Sequence, residues 1–335
     1  MNEKEIAEIR RRFNPQKTNI TKVCGCYVTP SGEIMSEFSQ PLAALTPDET
    51  ENLLSILKKT LSGTVDKNLI DIPFSNAQVL EGEEHKTLMR LRDSALCDEE
   101  ALKRAYSAII SSVREETNYL ILLAFDSYDV FTYSSDGKKD DESSEQFRYF
   151  VCCVCPVKLT KPLLSFEAFD NAFHGITSVS AVSAPEFGFM FPSFDDRTGN
   201  IYDVMFYSKN PARDYSEISD KLFKADMPMP AVRQQESFCE MLEASVGEEC
   251  SLDVIQAVQD RINDIAEENK ENRDREPVAV TKNDISQVLR SCDVTEEHIE
   301  SFESNYDSVF GEKTSFNPKN LVDVKKMEVN MPSVS

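Results

Sequence analysis

The sequence predicts an α+β or α/β protein: a mixed-sheet N-terminal domain over residues 1–226, then a smaller, acidic, all-helical domain over 231–311 and an extended tail over 312–335. Three observations carry this. Strand-like runs in the first part are separated irregularly, sometimes by hairpin turns and sometimes by amphipathic helices, which favours a mixed sheet over a strict βαβ repeat. Around Met227-Pro228-Met229-Pro230 the texture changes, and apolar residues then fall at helical spacing among Glu and Asp. A chain of 335 residues also exceeds what one core usually supports, roughly 250 to 300 residues. The polar stretch near 135–145 is a possible split of the first part into two subdomains.

Each element has a local cause. Residues 1–13 place Ile6, Ile9 and Phe13 on one helical face, and Asn14-Pro15 stops that helix. Residues 23–28 and 33–38 form a hairpin about Thr29-Pro30-Ser31-Gly32, with Pro second and Gly fourth as a type I turn prefers. A helix opens at Thr46, with Pro47 at its first position and Glu49 completing a capping box, and points Leu53, Leu54, Leu57 and Leu61 inward. Residues 68–74 suit a short strand, and 83–91 and 98–113 two amphipathic helices. The run 119–125 is almost unbroken apolar, as a strand covered on both faces requires. Residues 130–133 pair beside it, and 134–144 form a polar loop. Residues 147–159, 187–191 and 201–207, rich in Val, Phe and Tyr, complete the strands.

In the acidic domain Phe238, Met241, Leu242 and Val246 make one apolar stripe; Leu252, Ile255, Val258, Ile262 and Ile265 make a second, before a solvated charge run at 267–276. Thr281 and Asp284 cap a helix carrying Ile285, Val288 and Leu289. Thr295 starts another with Ile299, Phe302, Tyr306 and Phe310.

Composition narrows the function classes. With 59 acidic and 36 basic side chains the formal charge is −23, so the average surface repels polyanions and anionic membranes. The start of the chain lacks the apolar segment of a signal peptide, and no stretch of about 18 uncharged apolar residues suggests a membrane span. The nine cysteines, an odd number scattered through strands and helices, suit a reducing compartment.

Motifs that carry chemistry are sparse. Cys152 and Cys155 have Cys-x-x-Cys spacing, but in a strand they point to opposite faces and share no metal. Cys24 and Cys26 share a face without a second pair. His85 and His298 read as surface histidines beside carboxylates. His174, four residues after Asp170, is the histidine a carboxylate could orient, yet no nucleophile signature accompanies it. The best polar constellation is the loop Asp195-Asp196-Arg197 with Asn200, where two carboxylates and a guanidinium suit a cation or an anion. Arg10, Arg11 and Arg12, with Lys17 and Lys22, are the basic concentration, which Lys158 and Lys161 would extend. The default expectation is that it pairs with the acidic C-terminal helices. The helix pair at 281–291 and 295–310 has helix-turn-helix spacing, but Glu296, Glu297, Glu300, Glu303 and Asp307 would repel a major groove.

Several phrases are distinctive: Glu8-Ile9-Arg10-Arg11-Arg12-Phe13-Asn14-Pro15, Leu61-Ser62-Gly63-Thr64, Lys67-Asn68-Leu69-Ile70-Asp71-Ile72 and Asn118-Tyr119-Leu120-Ile121-Leu122-Leu123. With Cys155-Pro156-Val157-Lys158-Leu159-Thr160-Lys161-Pro162 and Pro185-Glu186-Phe187-Gly188-Phe189-Met190-Phe191-Pro192, the chain resembles the bacterial family of domain of unknown function 4317 over nearly its whole length. The resemblance implies a bacterial cytoplasmic setting, and a further strand-rich segment beyond the region of Lys325 to Ser335; it transfers no catalytic residue. The expected function is that of a non-enzymatic intracellular protein that binds other macromolecules or regulates them. Its expected partner is a protein met through the acidic helices, with no cofactor, metal, DNA or membrane. One alternative is a translation- or RNA-associated factor using the basic cluster. The other is a metal- or phosphate-dependent enzyme at Asp195, Asp196, Arg197, Asn200 and His174.

Overall fold

The computed structural model describes residues 1–133, 139–229, 231–247, 252–271, 278–310, 316 and 318–321. The chain divides into two compact units, Met1–Pro228 and Met229–Ser335.

The first unit opens with helix α1 (Glu3–Arg10), the hairpin β1 (Lys22–Val28) and β2 (Ile34–Pro41), helix α2 (Pro47–Lys59) and strand β3 (Leu69–Pro73). Helices α3 (Asn76–Glu81), α4 (Glu83–Asp93) and α5 (Glu99–Ser112) follow. Two long strands come next, β4 (Tyr119–Tyr133) and β5 (Lys139–Leu159). Then come the short pairs and strands β6 (Leu163–Glu167), β7 (Ala172–Ile176), β8 (Ser180–Val182), β9 (Phe187–Phe191), β10 (Ser193–Asp195), β11 (Thr198–Asn200) and β12 (Asp203–Ser208), and the short helix α6 (Ser216–Ile218).

The main sheet runs β2-β1-β4-β5-β9-β12-β3, with β8 paired to the end of β5. Its ladders are all antiparallel, where irregular alternation had suggested a mixture. The fold is therefore α+β. Strand alternation sends Ile121, Leu123, Cys152, Phe189 and Phe206 to one face, where α4, α5 and α6 cover them with Leu88, Leu91, Ile109 and Ile218. Leu122, Val151, Met190 and Met205 go to the other face, under Ile6 and Ile9 of α1 and Leu54 and Leu57 of α2. Covering both faces explains why the middle strands carry near-continuous apolar runs.

The backbone is tight where α2 ends over the sheet. A Cβ on Gly188 would sit 2.5 Å from the Cys152 carbonyl oxygen and 2.6 Å from Thr60 Cγ2, so only glycine fits there.

The long ladder corrects two expectations. β4 runs unbroken through the two strands predicted at 119–125 and 130–133, and β5 begins at Lys139, inside the predicted polar loop, of which 134–138 lie outside the described residues. A split into subdomains near 135–145 does not occur, because β4 and β5 pair from Tyr119 opposite Pro156 to Tyr133 opposite Lys139 in the middle of one sheet. His85 is also corrected. It is 2 % exposed, its Nε2–H donates to the Ile201 carbonyl at 2.8 Å, and its ring packs edge-on to Phe74 and Phe191.

Cys24, Cys26 and Cys152 lie in one core layer, and Cys153 and Cys155 in the other with sulfurs 3.7 Å apart. Burial pushes the Cys24 thiol up to about 11 and that of Cys26 up to about 12, which holds them as unreactive thiols.

The second unit comprises α7 (Ala231–Val246), α8 (Leu252–Glu271), α9 (Lys282–Ser291), α10 (Glu296–Phe310) and the short α11 (Pro318–Leu321). Its core joins Phe238 and Leu242, Val258 and Ile262, Leu289, Phe302 and Tyr306. Thr281 accepts from the Asp284 N–H and Asp284 accepts in return, the capping box read from the sequence. Leu252, expected in the second stripe, is exposed, and Val254 takes the buried position. The part of the charge run at 272–276 lies outside the described residues. The expected extended tail is corrected where it is described. Phe316 pairs with Val280 through two backbone hydrogen bonds and is buried, and Leu321 of α11 is buried in the same core.

Candidate functional site

Helix α1 and the β10–β11 hairpin build one polar corner. Asn2 and Glu5 form a reciprocal capping box that starts α1, which turns Glu5 inward and Glu8 along its flank. The hairpin turn needs left-handed backbone at two successive residues, Asp196 at φ 48° and Arg197 at φ 60°. This aims the Arg197 guanidinium at Glu8, which accepts at 2.8 and 3.2 Å, while the Tyr128 hydroxyl donates to the same carboxylate. Carboxylate oxygens of Glu5, Asp195 and Asp196 lie within 4.8 Å of one another. Burial raises the Glu5 carboxyl above the ordinary glutamate range, and the backbone N–H of Asn2 opposes that. Asp203, which accepts from Asn200 Nδ2 at 2.6 Å, is likewise raised by burial and then by Asp71.

The loop predicted as a polar site is thus held to α1 by a two-point ion pair, and Asn200 serves Asp203. His174 does not join it. That residue sits on β7, where its Nε2–H donates to Asp170 at 2.6 Å beside Glu167.

The three consecutive arginines end in three settings. Arg12 reaches the sheet and meets Asp126, 1 % exposed, through Nε at 3.2 Å and Nη2 at 3.4 Å. The same carboxylate accepts from the Tyr149 hydroxyl and the Asn19 N–H, each at 2.9 Å. Arg10 is half-buried, and its Nε has no hydrogen-bond partner among the described residues. Arg11 is exposed. With Arg12, Lys4 and Lys17 it lines an open cleft of about 700 Å³ that Glu3, Glu8 and Tyr128 share. The expected pairing of this cluster with the C-terminal helices is replaced, for Arg12, by Asp126 of its own unit. Lys22 leaves the cluster and donates to Cys97 Sγ at 3.4 Å.

Lys158 and Lys161 are exposed elsewhere, just before a ribbon that no sequence motif marks. β6 and β7 form a separate two-stranded ribbon, with Phe166 opposite Phe173 and Ser165 opposite His174. Pairing places Leu164, Phe166 and Phe173 on one face and Ser165, Glu167 and His174 on the other. Where burial is described, every residue from 161 to 180 is exposed or half-buried. Leu164 is 76 %, Phe166 55 %, Phe169 97 % and Phe173 72 % exposed. The period of two in Leu164 to Glu167 was the available signal. Asp126 had one too, since a lone carboxylate after an apolar run in a doubly covered strand requires a buried partner.

Fold and site together define an α+β protein of two units, whose first unit carries a stitched polar corner and a separate ribbon with exposed apolar side chains. No helix among the described residues is long and apolar enough to cross a membrane. The chain belongs to the family described as domain of unknown function DUF4317, whose model matches residues 1–335. No curated protein matches it.

Proposed function

We propose that this chain is a non-enzymatic intracellular protein-binding factor that engages a partner protein through the β6–β7 ribbon. The observation that carries the reading is the exposure of Leu164, Phe166, Phe169 and Phe173 on the β6–β7 ribbon and its turn. Contiguous exposed apolar surface of this kind marks an interaction site. Each such side chain recovers about 1.5–3 kcal/mol when it is covered. Lys158 and Lys161 at the foot of the ribbon select a partner whose apolar groove has an acidic rim, against the −23 charge of the whole chain.

The test places a photo-crosslinking amino acid at Phe169 in the producing cell, then measures binding of the purified cross-linked protein. The triple variant Phe166→Ser, Phe169→Ser, Phe173→Ser is expected to weaken that binding at least about a hundredfold, as loss of buried aromatic anchors does. Unchanged binding by the triple variant, or cross-linking of the chain only to itself, overturns the reading. Salt-sensitive RNA binding that Arg11→Ala and Lys17→Ala abolish would instead move the function to the cleft beside α1.

A further inference from the structure

The geometry points to a zinc site on the polar face of the β6–β7 ribbon, with Glu167, Asp170 and His174 as its protein ligands. The three residues come from the end of β6, the turn and β7. Glu167 pairs with Ala172 and His174 with Ser165, so both side chains leave the same face of the ribbon, and Asp170 reaches them from the turn. One ligand atom from each lies within 4.8 Å of the others. Asp170 is oriented before any ion arrives: its Oδ1 accepts from the Ala172 N–H at 3.1 Å, which directs Oδ2 to His174 Nε2 at 2.6 Å.

Two features of the ribbon give a cation something to do. Glu167 and Asp170 are like charges brought together with only an imidazole between them. And a two-stranded ribbon without a core beneath it is marginally stable in water; here the described residues from 161 to 180 are nowhere buried. An ion that ties β6, the turn and β7 together removes the repulsion and closes the ribbon.

The donor set chooses the metal. One imidazole and two carboxylates suit Zn²⁺, with water completing a tetrahedron, whereas Mg²⁺ and Ca²⁺ prefer oxygen alone. Tetrahedral ligands at zinc stand about 3.4 Å apart, given bonds of about 2.0–2.2 Å. The His174–Asp170 pair would therefore open by about 1 Å as zinc takes the place of the hydrogen bond between them. All three side chains are exposed and free to make that adjustment. The site occupies the face opposite Phe166 and Phe173, so it stands independently of the docking reading.

Calorimetric titration of the full chain with Zn²⁺ tests it, alongside hydrogen exchange of the β6–β7 amides. One zinc per chain is expected at this site, with slower exchange of those amides on loading. His174→Ala and Asp170→Asn should each weaken binding at least about tenfold and abolish the added protection. His298→Ala, on α10, should change neither. Zinc binding that His174→Ala leaves unaltered, no binding at all, or binding without protection of the ribbon overturns the assignment.

Discussion

Replacing Arg12 by methionine keeps most of its volume and removes its charge, which leaves the Asp126 carboxylate without its counter-ion inside the sheet layer. Removing one partner of a buried ion pair costs about 3–5 kcal/mol, because the remaining charge has lost its water as well. Two features of the structure place this case at the lower end. Tyr149 and Asn19 still donate to the carboxylate at 2.9 Å, and the Arg12 side chain is 15 % exposed, so its bonds at 3.2 and 3.4 Å are not fully dry. The expected loss is about 3 kcal/mol for Arg12→Met and within about 0.5 kcal/mol for Arg11→Met, whose side chain is exposed. The chain has no Trp, so hydrogen exchange of the β4 and β5 amides is the suitable probe, and it reads the first unit separately from the second. Adding Asp126→Asn to Arg12→Met should recover part of the loss, since the orphaned charge is then gone. Equal effects for the two arginines, or a loss below about 1 kcal/mol at Arg12, would refute the view that position 12 belongs to the interior and position 11 to the surface.

Two further outcomes follow from the core. Gly188→Ala should destabilise the first unit by about 1–3 kcal/mol or more, measured by urea unfolding, because its methyl would meet a strand carbonyl and a helix-end methyl at once. His85 gives a pH signature. Burial lowers its pKa below the ordinary 6.5, so the folded protein keeps the ring neutral while the unfolded chain protonates it. Its contribution is therefore complete above about 6.5 and is lost as the pH falls through the lowered value. His85→Phe should remove that acid-side slope below pH 6.5 while costing about 1–3 kcal/mol at pH 8, since the Ile201 carbonyl loses its donor.

Legibility from sequence followed how local the cause was. Thr46 and Thr281 announced their helices because a capping box lies within four residues. The apolar run at 119–125 in β4 announced a strand covered on both faces. Direction of pairing was not legible, since it depends on which distant strand each run meets. His85 was misjudged from its glutamate neighbours, although its spacing of three to Leu88 and six to Leu91 puts all three on the buried face of α4. For the candidate site, the sequence supplied the right residue types in the wrong company. Arg197 meets Glu8 across 189 positions and Arg12 meets Asp126 across 114, and no periodicity reports such separations. His174 and Asp170 were legible as a pair, whereas Glu167 completes the group only through the ribbon's register.

The ladder between β4 and β5 sets a limit on how this protein can be divided. A protease or an engineer cutting the chain between β4 and β5 would separate strands that pair along the whole of Tyr119 to Tyr133. Neither fragment would keep a closed layer. Each would carry a bare hydrogen-bonding edge lined with valine, leucine and phenylalanine, so the halves should stay associated after nicking and precipitate when expressed alone.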